Sequence, residues 1–269
     1  MVEMANCWKD DTEYDYSSIV LQLQHYLKLQ TIPVGMKRFR TLADAEKVEK
    51  LRRPEPGLKL ATDQIVGQSR WLGYTIGITM DNLVGSQCGA VVGLHPRDED
   101  FLSGERFTGV WYGTLEDSKA HQHAMECAPY GEYEAIVVSP LAAGRIGNPD
   151  ICLIYATPGQ MITLINGLQY KHYEPIQMTV VGESACADSW GRALQDGKPA
   201  VSIPCYAERK FGGVQDHEML IAFAPSYLRQ IVEGLAALSK AGLRYPIPNI
   251  GLDVSPLASL QKSYGPAGA

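Results

Sequence analysis

Three of the six cysteines lie where a thiol could do chemistry. Cys186 opens a predicted helix and Cys205 closes a predicted strand, and the positive end of a helix dipole favours the thiolate form. Cys88 lies among glycine and serine residues, and such small neighbours let a bulky cofactor approach the sulfur. Because thiolates are the ligands of iron–sulfur clusters, Cys88, Cys186 and Cys205 are candidate ligands of a metal or a cluster.

A purely structural role is the alternative for each of these thiols, since free cysteine is among the most buried residue types. No two cysteines form a Cys-x-x-Cys pair, so their spacing alone does not identify a metal site. Cys152 lies inside the apolar run 151–156 and is interpreted as a core residue. Cys7 lies in an acidic N-terminal segment and is not expected to act.

A second metal candidate is the pair of His123 and Cys127, four residues apart in a predicted helix. At that spacing both side chains would share one helix face and could reach one zinc ion. His121 would point elsewhere. The alternative is a polar helix face that carries ordinary histidines.

Charged residues near the cysteines supply candidates for substrate binding and proton transfer. The Arg209 guanidinium could clamp a carboxylate or a phosphate, and it is expected to face the cavity of the cysteines. A surface salt bridge from Arg209 to Asp216 or Glu218 is the alternative. Asp188 and Glu218 are candidate acid/base groups, so the predicted catalytic set is Arg209, Asp188 and Glu218.

Several function classes are disfavoured by what the sequence lacks. Walker and dinucleotide-binding patterns are absent, and so is the Gly-x-Ser-x-Gly nucleophile elbow. A net charge of -6 without a basic stripe argues against a nucleic-acid partner. No secretory signal and no bilayer-length apolar run is found, so a cytoplasmic protein without a membrane partner is expected.

Helix and strand patterns alternate along the chain and predict the architecture that must position these residues. We expect a single α+β domain over residues 15–243, with a mixed sheet covered by helices. A strand followed by a cysteine-bearing helix is predicted near residues 74–94 and again near 177–195, with Gln177 to Val181 as the second strand. This echo is interpreted either as an internal duplication or as chance similarity.

The two ends of the chain are expected to behave differently from the domain. Residues 1–14 are predicted to form a mobile N-terminus. Residues 244–269 are rich in proline but too apolar for a free solvated tail, so they are predicted to pack as an extended C-terminal arm. An arm that packs on a neighbouring subunit would make the protein a homo-oligomer.

The order of several short motifs resembles the family called domain of unknown function 169. The motifs are Ile32 to Lys37, Gly131 to Tyr133, Ser139 to Leu141, Asn148 to Met161, Cys186 to Asp188, Ser202 to Arg209 and Asp216 to Met219. The resemblance implies a protein of anaerobic bacteria and archaea with cysteine-bound metal, and places Cys88, Cys186, Cys205 and Arg209 at matching positions. Related chains carry a further cysteine near the position of Ser69, so the ligand count of the family does not transfer to this chain.

The expected function is a cysteine-ligated metal or iron–sulfur protein that binds a small anionic metabolite. As an enzyme it would use an open coordination position for lyase, hydratase or reductase chemistry of anaerobic metabolism. Arg209 would orient the substrate, and Asp188 or Glu218 would move a proton. The alternatives are a non-catalytic protein that binds a small molecule or cofactor, and a structural subunit of a larger complex.

Overall fold

A computed structural model describes residues 14–247 of the chain as a single α+β domain, which confirms the predicted fold class. Six strands form one sheet in the order β2-β3-β1-β4-β6-β5. The strands are β1 (Val34–Phe39), β2 (Ile76–Thr79), β3 (Ala135–Pro140), β4 (Ile151–Ala156), β5 (Ala200–Ser202) and β6 (Met219–Phe223). Each pairing between these strands is antiparallel. Where we expected a mixed sheet, parallel pairing is limited to isolated bridges such as that of Arg52 to Ile76.

Helices cover both faces of the sheet. They are α1 (Tyr16–Leu27), α2 (Leu42–Glu46), α3 (Thr62–Leu72), α4 (Ser86–Val91), α5 (Glu99–Leu102), α6 (Leu115–Ala124), α7 (Pro158–Gln169), α8 (Arg192–Asp196), α9 (Tyr206–Gly212) and α10 (Tyr227–Lys240). A π-helical turn, Ala187–Gly191, leads into α8. Short 3-10 turns occupy Met80–Asn82, Glu105–Phe107 and Leu141–Ala143.

The start of α7 shows how local sequence fixes an element. Thr157 accepts a hydrogen bond from the Gln160 backbone N–H, and the Gln160 side chain accepts one from Thr157 N–H in return. Pro158 occupies the first helical turn, where its missing N–H costs nothing. This capping box was predicted from the sequence and is confirmed.

Alternate residues of the central strands contribute side chains to two separate hydrophobic cores, one on each face of the sheet. In β4, Ile151, Leu153 and Tyr155 face the layer that contains α3, α4 and the π-helical turn. Cys152 and Ile154 face the opposite layer, which is built from α1, α7 and α10. The interpretation of Cys152 as a core residue is therefore confirmed. Cys88 and Cys186 both lie in the layer that contains α3, α4 and the π-helical turn, on one side of the sheet.

The predicted strand from Gln177 to Val181 is wrong. This segment forms no regular secondary structure and pairs with no strand of the sheet. The Val181 N–H instead donates to the Asp188 carboxylate at 2.9 Å, so a side chain takes the place of a strand partner. The proposed internal duplication consequently lacks a second strand to match β2.

The predicted N-terminus, residues 1–14, and the predicted C-terminal arm, residues 244–269, lie outside the described residues except for Tyr14 and residues 244–247. Within residues 14–247, no helix combines the length and the apolar character needed to cross a membrane.

Candidate functional site

A cavity of about 470 Å³ opens on the face of the molecule where α3, α4 and α9 meet. We call it the thiol cavity because Cys88 lies in its wall beside Asp63. Most of the remaining wall is apolar or aromatic. The lining residues are Ala61, Asp63, Gln64, Val84, Gly85, Gln87, Cys88, Phe107, Trp111, Glu183, Ser184, Tyr206, Ala207, Lys210 and Phe211.

Two buried thiols touch at this cavity. Cys88 Sγ lies 3.0 Å from Cys186 Sγ, although 98 residues separate them in the sequence. Cys88 Sγ also lies 3.6 Å and 3.7 Å from the two carboxylate oxygens of Asp63. Cys205 is the buried residue before α9. The structure therefore brings Cys88 and Cys186 into contact, whereas the convergence of Cys205 with them stays a prediction.

Local structure explains how α4 and the π-helical turn present the two thiols. Gly85 has a φ of 89°, a left-handed conformation that a side chain would strain, and it turns the chain into α4 ahead of Cys88. Cys186 immediately precedes the π-helical turn, a feature that is frequent at functional sites.

Three carboxyl groups accompany the thiols. Glu208 is 1% exposed, and its Oε2 accepts a hydrogen bond from Cys205 N–H at 3.1 Å. Its other oxygen, Oε1, is buried without a hydrogen-bond partner. Glu183 accepts hydrogen bonds from the N–H groups of Tyr206 and Ala207 at the start of α9. With Asp63, these groups concentrate acidic side chains around the sulfurs.

The buried surroundings disfavour the charged forms of both the carboxyl and the thiol groups. Burial raises the pKa of the Asp63 and Glu208 carboxyls well above the usual carboxyl range. Repulsion from Glu183 adds to both shifts, and repulsion from Asp63 adds to that of Glu208. Burial also raises the pKa of Glu183 and of the Cys186 and Cys205 thiols. For Cys88, the hydrogen bond with Cys186 is the main cause of a raised pKa, followed by burial.

A close helix contact brings the two halves of the site together. A Cβ on Gly67 of α3 would lie 2.5 Å from the backbone oxygen of Gly212 in α9. The missing side chain lets α3, which carries Asp63, lie directly against α9, which carries Glu208. The packing of these two helices therefore sets the distance between the carboxyls.

Arg209 was predicted to face the thiol cavity, but it does not. Its guanidinium donates to the carbonyl oxygens of Pro204, at 3.1 Å, and Gln215, at 2.7 Å. Asp216 lies 3.9 Å away, so the predicted alternative of a surface ion pair describes Arg209 better. The cavity wall instead contains the next residue, Lys210.

Asp188 and Glu218 are both buried, yet each is occupied by a structural partner. Asp188 accepts hydrogen bonds from Thr179 Oγ1, at 2.7 Å, and from Val181 N–H. Glu218 pairs with the buried guanidinium of Arg70 and also accepts from Gln215 N–H. Neither residue lines the thiol cavity, so the structure does not support the predicted catalytic set.

The second metal candidate also has a different geometry from the one predicted. Helix α6 ends at Ala124, so Cys127 lies beyond it and does not share a helix face with His123. His121 Nε2 contacts the carbonyl oxygen of Glu183 at 2.7 Å. Across residues 14–247, no three or more His, Cys, Asp or Glu side chains are already arranged to enclose a metal ion.

Sequence reasoning missed the carboxyls and the lysine of the site. Asp63 reads as an ordinary acidic residue in the first turn of a helix, where it favours the helix dipole. One signal was available: the spacing of Asp63, Gly67 and Arg70 places them on one face of the predicted helix. The structure buries all three. For Glu208 and Lys210 the sequence offers no comparable pattern.

A larger cavity of about 810 Å³ lies near the edge strand β5 and contains none of the cysteines. Polar and apolar groups share its wall, and three of its charged residues have ion-pair partners. Lys198 pairs with Glu174, and Arg192 lies 3.8 Å from Glu126. The thiol cavity is therefore the better candidate for chemistry.

A family model for domain of unknown function 169, described as "Uncharacterised ArCR", matches residues 22–234. The chain belongs to this family. A curated relative, the uncharacterized protein MJ0308 of Methanocaldococcus jannaschii, is 28% identical over 134 residues, which are 48% of this chain and 57% of that protein. The match thus spans little more than half the length of this curated relative. No solved structure matches the chain.

Proposed function

We propose that this member of the domain of unknown function 169 family binds a transition metal at Cys88, Cys186 and Asp63, with Cys205 as a further ligand. The contact of 3.0 Å between Cys88 Sγ and Cys186 Sγ carries the proposal. The metal would be a single ion or part of an iron–sulfur cluster. Its open coordination position would face the thiol cavity and a small anionic metabolite.

The donors lie near the spacing of ligands of one metal atom, with the two sulfurs closer together than that spacing. Two ligands that bind a tetrahedral ion through bonds of about 2.3 Å lie about 3.7 Å apart. The distances from Cys88 Sγ are 3.0 Å to Cys186 Sγ and 3.6 Å to the nearer Asp63 oxygen. Small rotations of the side chains would bring all three donors to the required spacing, and both sulfurs would bind the same metal atom.

The set of donor groups at the site supports a metal cation as its ligand. Three thiols and three carboxyls meet in a largely buried volume, and Glu208 Oε1 has no hydrogen-bond partner there. A bound metal would displace the thiol protons, since metals bind cysteine as the thiolate. Soft sulfur donors beside carboxylates suit iron or zinc better than magnesium or calcium.

A cobalt titration tests the proposal. Reduced protein with Co²⁺ under argon should give an intense sulfur-to-cobalt absorbance in the near ultraviolet at one ion per chain. Cys88→Ser and Cys186→Ser should each remove most of this band. Cys152→Ser is the matched control, because that thiol is buried in the other layer, and its band should persist.

A cobalt band that is absent in the native protein, or equally strong in all three variants, would contradict the proposal. Anaerobic reconstitution with iron and sulfide then separates the two forms of the proposal, since only a cluster gives broad visible absorbance with stoichiometric iron. Turnover of a bound metabolite would distinguish an enzyme from a non-catalytic binding protein.

A further inference from the structure

Aromatic rings border the opening of the thiol cavity. Trp111 is 42% exposed, Tyr206 is 58% exposed and Phe211 is 49% exposed. Trp111 belongs to the segment before α6, whereas the other two rings belong to α9, and the Trp111 and Tyr206 ring centroids lie 5.5 Å apart. With Phe107 behind them, four rings share one cavity wall. Exposed apolar groups gathered around a concave opening indicate a binding site for an apolar body.

One cation lies at the same wall. Lys210 Nζ is 5.8 Å from the centre of the Tyr206 ring and 5.6 Å from that of Phe211. Among the described residues, Lys210 has no ion pair with an acidic side chain. Its ammonium group is therefore available to an anionic ligand that enters between the rings.

The acidic base of the cavity restricts how such a ligand lies. Asp63 and Glu183 lie in the cavity wall, and in their ionised forms they repel an anionic group. A negative charge is therefore best placed at the outer end of the ligand, next to Lys210. The uncharged body then lies against the aromatic wall, where ring contacts with a flat ligand are most favourable.

We infer that the ligand of the thiol cavity is a planar aromatic monocarboxylate, with its carboxylate at Lys210 and its ring against Phe107 and Trp111. This inference rests on the proposed function, because it names the class of anionic metabolite that the metal site would receive. A cavity of about 470 Å³ is within the size range of pockets that enclose such molecules.

Calorimetric titrations of the zinc-treated protein with four related probes test the inference. The probes are 2-naphthoate, its neutral amide, the cation 2-naphthylmethylammonium, and the saturated acid decahydro-2-naphthoate. We expect 2-naphthoate to bind more tightly than its amide by about threefold, as for an exposed ion pair. It should bind more tightly than the saturated acid by about fivefold, as for aromatic contacts. The ammonium probe should bind most weakly.

Two variants assign these preferences to residues. Lys210→Gln should remove the preference for the acid over the amide, and Lys198→Gln, at the other cavity, is its control. Trp111→Leu should remove the preference for the flat ring, and Tyr170→Leu, an exposed ring outside the thiol cavity, is its control. Tighter binding of the ammonium probe, no binding of 2-naphthoate, or preferences unchanged in Lys210→Gln and Trp111→Leu would overturn the inference.

The same titrations in zinc-free protein, read beside the cobalt titration, distinguish failure of this inference from failure of the metal proposal. A normal cobalt band without 2-naphthoate binding would overturn the ligand class and leave the metal proposal standing. Binding of 2-naphthoate with the predicted preferences, but without a cobalt band, would overturn the metal proposal alone.

Discussion

At the scale of single residues, the ion pair between Arg70 and Glu218 lies beside the candidate site with both side chains almost fully buried. The Arg70 guanidinium stacks on the Tyr155 ring at 3.9 Å, and two of its nitrogens have no hydrogen-bond partner. Glu218 was predicted to be an acid/base group, but this contact gives it a structural role. Breaking such a pair leaves an uncompensated buried charge.

We therefore expect Glu218→Gln to lower the free energy of unfolding by about 3–5 kcal/mol. The double variant Arg70→Met with Glu218→Leu should lose much less, because no charge remains buried. Urea unfolding followed by circular dichroism measures both. A double variant that is less stable than Glu218→Gln would show that the attraction within the ion pair exceeds the free energy of burying its two charges.

A second prediction at this scale concerns pH. In the metal-free fold, burial raises the pKa of Asp63 and Glu208 above the values of the unfolded chain. At a pH between the unfolded and the folded pKa values, the folded state holds more protons than the unfolded state. The free energy of unfolding therefore falls as the pH rises. Between about pH 5 and about pH 8 the free energy of unfolding should decrease, and Glu208→Gln should flatten the decrease. Chelator-treated protein in urea provides the measurement; an equal slope in the variant would contradict it.

At the scale of elements, the contact between α3 and α9 holds the site together. Gly67→Ala places a methyl group against the Gly212 backbone and should force the helices apart, at a cost of about 1–3 kcal/mol. Because Asp63 of α3 and Cys205 at the start of α9 separate as well, cobalt affinity should fall in the same variant. Gly113→Ala is the control, since nothing lies within 4 Å of the added Cβ. Unchanged stability and cobalt affinity in Gly67→Ala would show that the close approach is not required.

How much could be predicted from sequence also becomes clear at this scale. The α+β class, the capping box of α7 and the contact of Cys88 with Cys186 followed from periodicity and from the position of the thiols at the ends of elements. The orientation of Arg209 did not follow, because one residue along a helix turns the side chain by about 100°. Lys210 consequently lines the cavity in place of Arg209.

The buried carboxyls and the absent strand show a second limit. Asp63 and Glu208 look like ordinary helix residues until tertiary packing encloses them. The segment from Gln177 to Val181 has a strand pattern, but it pairs with no strand, and the Asp188 side chain accepts the hydrogen bond of the Val181 N–H. Both outcomes depend on contacts between distant residues, which local pattern does not contain.

At the scale of the whole molecule, the site joins segments that are far apart in the chain: α3, α4, the π-helical turn and α9. A metal that binds only the folded state should therefore stabilise the entire domain. With zinc at about 100 times its dissociation constant, unfolding should require about 2.7 kcal/mol more. Thermal unfolding with and without zinc measures this gain, which Cys186→Ser should abolish and Cys152→Ser should keep. An equal gain in both variants would place the zinc elsewhere.

The most direct test of the metal site is X-ray absorption spectroscopy at the zinc edge of protein loaded with one zinc per chain. The geometry of Cys88, Cys186 and Asp63 predicts at least two sulfur neighbours at about 2.3 Å together with an oxygen neighbour at about 2.0–2.2 Å. A first shell of nitrogen and oxygen alone, or zinc that is lost on gel filtration, would contradict the account.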